Sequence, residues 1–340
     1  MHRALTASLL AAAVALAAAA TASAAAGERV RPYTPCEKTG GAILVEVNGA
    51  SCDEARAVAT ALAGVAPAGV ESVLLAQGWT PLRANATGYD DSYDLFALRG
   101  HAALWIREPG APPDIDGWTA GRELLLARAP LVAGVPPPDG TAACTTAYLV
   151  RLGRRLAGLS SGHCAGLTRS RKTLRRHTAL RTANPVGLVL GGVQRNLWRK
   201  RATKRSPRID ALALPAPSGP GRFSAPVIDR GIIGAPLFVV GSARARRGHE
   251  VCFAGRTSGT DRCGEVIQSY PGTGGLPCTT ITADLGDSGS PVYTPPSADG
   301  SVRAVGIATL VFGPFQSMCF TPIGPVLDAL NATLVTAAAR

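Results

Sequence analysis

The sequence predicts an all-β body in its C-terminal part, standing behind a smaller α+β unit. Three observations carry this. Short apolar runs recur at residues 147–152, 187–190, 211–214, 236–240, 291–293 and 304–311, with Gly, Pro and basic turns between them. Further upstream, Ser51-Cys52-Asp53-Glu54 has the pattern of a capping box and opens a helix to about Ala63. Between the two lies Gly134-Val135-Pro136-Pro137-Pro138-Asp139-Gly140, whose prolines and glycines suit an extended tether.

The elements follow in chain order. Residues 1–26 read as a secretory signal. His2 and Arg3 give a short positive start, an Ala/Leu/Val run follows, and Ala22-Ser23-Ala24 offers a small-residue cleavage site. Alanine is only weakly apolar, so a membrane anchor is the weaker reading of this run. The expected product is secreted, extracellular and without a membrane span. Residues 27–133 form the α+β unit. Residues 42–47 are strand-like and end in the turn signal Asn48-Gly49. Residues 93–98 and 101–107 make a hairpin around Arg99-Gly100, and residues 124–126 a last short element. Residues 134–141 are the linker and 142–340 the β body, which is expected to close with a helix over 328–334.

Charge is divided unevenly. The chain carries a net +12, but residues 27–140 hold nine Lys and Arg against fourteen Asp and Glu. The remainder to residue 340 holds twenty-five against nine. The run Arg169-Ser170-Arg171-Lys172-Thr173-Leu174-Arg175-Arg176 has no aromatic interleaving and no nucleic-acid motif, so nucleic acid is not the expected partner. An anionic cell envelope, an acidic substrate or the chain's own acidic unit fits better. Eight cysteines suit an oxidising compartment, and the lack of Cys-x-x-Cys argues against structural zinc. Sequence proximity pairs Cys36 with Cys52.

The chemistry points to Gly286-Asp287-Ser288-Gly289-Ser290-Pro291. A serine hydroxyl needs a base, amide donors for an oxyanion, and a turn that exposes it. Flanking glycines permit that turn. Ser288 is the nucleophile candidate. Among five histidines, His163 sits in Ser161-Gly162-His163-Cys164, after an apolar run and in a tight turn, which marks it as the base. His101 sits in a strand-like run and His177 and His249 in basic stretches, where solvated histidines are expected. The third member must hold the imidazole in one tautomer. Asp210, in Ile209-Asp210-Ala211-Leu212, is an acid in an apolar run and needs a partner there. Asp229, beside Arg230, is the runner-up.

Ser-Gly-His-Cys, Ile-Asp-Ala-Leu and Gly-Asp-Ser-Gly-Ser-Pro, in that order, resemble the trypsin/chymotrypsin-type serine peptidases. Cys252-Phe253-Ala254-Gly255-Arg256-Thr257-Ser258-Gly259 followed by Cys263-Gly264 is similar to a loop of the bacterial secreted branch, which includes streptogrisins and α-lytic protease. The likeness covers about residues 142–335. It implies a chymotrypsin-like fold of two six-stranded antiparallel barrels, with the triad His163, Asp210 and Ser288 between them. It implies an oxyanion hole from the Gly286 and Ser288 amides, with Asp287 fixed by an ion pair to Arg256. It implies the pairs Cys144–Cys164 and Cys252–Cys263, leaving Cys278 with Cys319. It implies no cofactor and no metal. Thr309, Leu310 and Val311 fall where relatives carry a Ser-Gly-Gly strand, and Leu310 and Val311 are expected to narrow the P1 opening there. Thr282 falls at the pocket base, and Asp284 is also within reach of it. Small apolar P1 residues are therefore expected. The alternative is a catalytically silent or very narrow homologue that binds a protein or an anionic envelope. Relatives often carry a prosegment. By that likeness residues 27–135 dock on the peptidase, restrain it and are cut off near Gly134–Thr141, or else remain as an accessory domain.

Overall fold

The computed structural model describes residues 34–37, 41–86, 91–100, 102–111, 113, 117–166, 177–181, 188–198, 208–218, 222–230, 236–270, 272–312 and 316–337. The leader 1–26, the basic run Arg169–Arg176 and His101 lie outside these residues.

The N-terminal unit is a five-stranded antiparallel sheet. Its strands are β1 (Thr34–Cys36), β2 (Leu44–Asn48), β3 (Thr80–Ala86), β4 (Ser92–Arg99) and β5 (Ala102–Pro109), in the order β1-β2-β5-β4-β3. Helices α1 (Cys52–Leu62) and α2 (Val70–Ala76) pack against it. The α1 start is chemically defined. Ser51 Oγ accepts from the Glu54 amide at 3.2 Å, and Glu54 Oε2 accepts from the Ser51 amide at 2.8 Å. The reciprocal pair satisfies two otherwise orphaned donors. The Glu54 carboxyl is held down at about 2, first by the Ser51 backbone and next by Arg99. One helical face, Ala55, Val58, Ala59 and Leu62, is buried on Val45, Val47, Leu95, Leu104 and Ile106 of the sheet.

The described residues from 117 onward are mainly β. Strands β6 (Glu123–Ala127), β7 (Ala142–Thr145), β8 (Leu149–Leu152), β9 (Arg155–Ser160), β10 (His177–Arg181), β11 (Val189–Gly192), β12 (Arg195–Asn196) and β13 (Leu212–Pro215) lead into β14 (Val227–Ile228). Then come β15 (Leu237–Ser242), β16 (Glu250–Gly255), β17 (Gly259–Ile267), β18 (Cys278–Thr282), β19 (Pro291–Tyr293), β20 (Ser301–Phe312), β21 (Ser317–Pro322) and β22 (Ala332–Leu334). The second half closes a six-stranded ring, β16-β17-β18-β21-β20-β19, entirely antiparallel. The first half differs from the expected closed ring. Among the described residues it is two sheets, β11-β10-β6-β7 and β12-β13-β9-β8-β22. They share one core of Trp118, Leu124, Leu126, Leu149, Leu180, Leu212 and Leu214.

Three sequence expectations are corrected here. The segment 134–141 is not a tether between bodies. It belongs to the connection between β6 and β7, which pair residue by residue from Glu123↔Thr145 to Leu126↔Ala142. β6 also pairs with β10 along its whole length. Residues 124–126 therefore belong to the large β body, not to the α+β unit. Just ahead of β6, Trp118 is fully buried, donates from Nε1 to the Ala147 carbonyl at 2.9 Å, and lies where a side chain at Gly158 would stand. Proline and glycine suit a hairpin connection as well as a linker, so composition did not separate the two. At the other end, the helix is α3 (Ile323–Leu330), and residues 332–334 are the strand β22 paired with β8. Asn331 ends the helix in a left-handed conformation.

The N-terminal sheet packs on the β body. Leu82, Phe96, Ala103 and Trp105 share a buried cluster with Val227 and Phe238. Beside it Arg83 pairs with Asp229 at 2.9 Å.

Candidate active site

His163 sits in a 3-10 turn, Gly162–Ala165, directly after β9. Cys164 ties that turn to β7 through a disulfide with Cys144. Gly162 is required: a Cβ there would meet Asn196, the Trp198 side chain and the Ala211 carbonyl at 2.5 to 2.9 Å. Asn196 Nδ2 donates to the Gly162 carbonyl, and the Trp198 ring stands edge-on 6.3 Å from the imidazole. Sequence reasoning missed Asn196 and Trp198. No local motif marks residues that hold the turn from behind, Asn196 by a hydrogen bond and Trp198 by packing.

Asp210 precedes β13 and is buried, with 1 % of its surface exposed. Its Oδ1 accepts from the His163 amide at 2.8 Å, and its Oδ2 lies 2.7 Å from His163 Nδ1. Both bonds aim the ring, and its other nitrogen, Nε2, lies 2.9 Å from Ser288 Oγ. The Asp210 amide donates to Thr321 Oγ1, which in turn contacts Thr309 Oγ1 at 2.9 Å. Thr309 thus lies behind the acid as well as beside the pocket. The runner-up Asp229 is occupied elsewhere by Arg83, and His249 is exposed.

The loop Asp284–Ser288 carries the candidate oxyanion donors. Gly286 has φ +102°, which an L side chain rarely adopts. In a trans peptide the C=O and N–H point opposite ways. The Leu285 carbonyl accepts from Thr257 Oγ1 at 2.9 Å, which turns the Gly286 N–H the other way. The Asp287 carbonyl accepts from the Ser290 amide and hydroxyl, which turns the Ser288 N–H away in the same manner. Among the described residues neither amide has a protein acceptor.

Asp287 is buried, and here the implied ion pair is corrected. Its carboxylate accepts three backbone amides, from Thr257 at 2.8 Å, Ser258 at 3.1 Å and Asp284 at 2.9 Å. Arg256 pairs instead with Glu123 of β6, at 2.8 Å. Amide donors can balance a buried carboxylate as a cation does, so the arginine is free to serve another acid.

A cavity of about 10 Å³ adjoins Ser288, lined by Ala283, Asp284, Asp287, Ala308, Thr309, Val311 and Met318. That is room for about one water. Thr282 is not part of it. Thr282 is exposed and accepts from Arg262, while its neighbour Ala283 is buried and faces the cavity. Leu310 is placed by its backbone pairing with Cys319. Cys252–Cys263 joins β16 to β17, Cys278–Cys319 joins β18 to β21, and Cys36–Cys52 joins β1 to α1.

No family model matches the sequence, and no curated protein matches it. Solved structures do resemble the fold. Thermobifida fusca protease A is 27% identical, with 61% of this chain and 100% of that chain covered and a TM-score of 0.42. A Nocardiopsis protease is 22% identical over 61% and 100%, TM-score 0.42. Cellulomonas bogoriensis chymotrypsin is 22% identical over 64% and 97%, TM-score 0.43.

Proposed function

We propose that this chain is a secreted serine endopeptidase that hydrolyses peptide bonds through an acyl-enzyme. One observation carries the reading. A continuous hydrogen-bonded line runs from Asp210 through His163 to Ser288, beside two backbone amides with no protein acceptor among the described residues. In this reading His163 Nε2 takes the Ser288 hydroxyl proton as Oγ attacks the peptide carbonyl carbon. The carbonyl oxygen becomes an oxyanion and receives N–H bonds from Gly286 and Ser288. The protonated imidazole, held by Asp210, then gives its proton to the leaving amine. Water, deprotonated by the same imidazole, attacks the ester carbonyl; the acid is released as Ser288 Oγ leaves and takes that proton back from the imidazole. No metal or cofactor enters any step.

The cavity, with room for about one water, supports a preference for small apolar P1 residues, with Val311 and Met318 among its walls. It equally suits the second reading, a homologue of very narrow specificity or none that binds a protein or an anionic envelope surface. Steady-state hydrolysis of a P1-varied peptide series separates the two. Turnover of Ala and Val substrates that is lost in Ser288→Ala supports the peptidase. A folded wild-type chain that turns over none of the series supports the binding protein.

The N-terminal sheet is the chain's own candidate partner, as inhibitor or folding aid. None of the cavity-lining residues comes from it. In this reading the cut that frees it falls between Pro109 and Trp118, because β6 pairs with β10 and β7 and a cut in 134–141 leaves it in place. N-terminal sequencing of the secreted form decides this.

A further inference from the structure

Glu123, Thr145, Arg256 and Gly286 form a closed circuit. Glu123 and Thr145 stand opposite each other across β6 and β7. Thr145 Oγ1 donates to the Gly286 carbonyl at 2.9 Å and accepts from the Arg256 amide at 3.3 Å. The Thr145 amide donates to the Ser288 carbonyl at 2.8 Å. Arg256 returns to Glu123 by the 2.8 Å ion pair, in which the acid is 14% exposed and the arginine 29%. Its other guanidinium nitrogen lies 3.0 Å from where a Cβ on Gly286 would stand, beside the turn that presents the amide.

We propose that Glu123 is a positioning residue for the oxyanion hole, acting through Arg256. The inference rests on the peptidase reading above. Gly286 has a conformation that glycine enters and leaves at little cost, so the turn needs bracing from outside. Asp287 braces it from within. Arg256 braces the other side, but a long side chain has many rotamers, and an anchored terminus removes them. Glu123 is that anchor, and it stands on a strand fixed by two neighbours. The hole is thereby tied to β6, so the segment ahead of residue 128 is part of the working site.

The test uses the full chain. Glu123→Gln should lower kcat about tenfold while leaving KM within about twofold, because the loss appears only as charge develops on oxygen. A peptide boronate should lose affinity by the same factor, and a non-covalent product peptide should lose none. Arg256→Met approaches the same pair from the loop side and covers the case in which the β6 variant fails to fold. The double variant should be no worse than the worse single, as coupled residues require. Wild-type kcat in either folded single, or equal losses in boronate and product binding, overturns the inference. An inert wild-type chain overturns the peptidase reading instead.

Discussion

Arg83 of the N-terminal sheet reaches Asp229 of the β body at 2.9 Å, with each side chain only 7% exposed. Arg122, just ahead of β6, lies 4.0 Å from the same carboxylate. Two arginines from different parts of the chain thus share one buried acid. Such a group is costly to bury alone, and its neighbours are arranged around it.

Removing that acid should therefore cost more than losing one contact. Asp229→Ala removes the acid that both buried arginines approach and should destabilise the chain by about 3–5 kcal/mol. Arg83→Met, which leaves Asp229 with Arg122, should cost less. Denaturant melts followed by tryptophan fluorescence read both. An Asp229→Ala curve that overlays wild type would refute the account of this interface.

Glu108 gives a pH prediction. It is buried at the end of β5, and its Oε1 has no partner among the described residues. Burial pushes its carboxyl from 4.5 up to about 7. The folded state therefore binds a proton that the unfolded state has already lost. Its contribution is full below about 4.5 and is lost as pH rises through about 7. Glu108→Gln should match wild type near about pH 4 and be the more stable, by about 2–3 kcal/mol, near about pH 8. Melting temperatures across that range decide the sign, and a variant that loses ground as pH rises would be the wrong one.

The pocket walls should set specificity. Met318→Ala with Val311→Gly enlarges a cavity of about 10 Å³ and should shift P1 preference from Ala or Val toward Leu or Phe. A P1 scan of the wild-type chain that peaks at Arg or Lys would remove the basis for this.

What was legible depended on how local each signal is. His163, Asp210 and Ser288 each lie in a short peptide whose glycines and apolar neighbours mark a turn or a strand end, and the structure brings the three together. Several features of the site were not legible in that way. Thr282 and Ala283 differ by one position on a strand end, and a one-residue slip exchanges the faces. Arg256 has two acids near it, Asp287 and Glu123. Only the fold shows that backbone amides already serve the first. The prolines at 136–138 carry the same composition whether they join two bodies or two strands of one sheet. Strand pairing is non-local, and the β6–β10 register links residues that no sequence window contains.

Within the proposed catalytic line, Asp210→Asn should lower turnover by about 10⁴, because an amide fixes the wrong imidazole tautomer. Asp229→Asn should leave turnover of the folded fraction near wild type. Stopped-time peptide hydrolysis at matched folded concentration compares them, and the reverse order would reassign the third member.

The central claim is that His163 activates Ser288 for acyl transfer, and covalent labelling reads it most directly. A fluorophosphonate probe added to the purified full chain should modify Ser288 stoichiometrically, as located by peptide mass mapping. Ser288→Ala should take no label, and His163→Ala should label at a rate lower by several orders of magnitude. A folded wild-type chain that stays unlabelled, or labelling that persists in Ser288→Ala, would contradict the account.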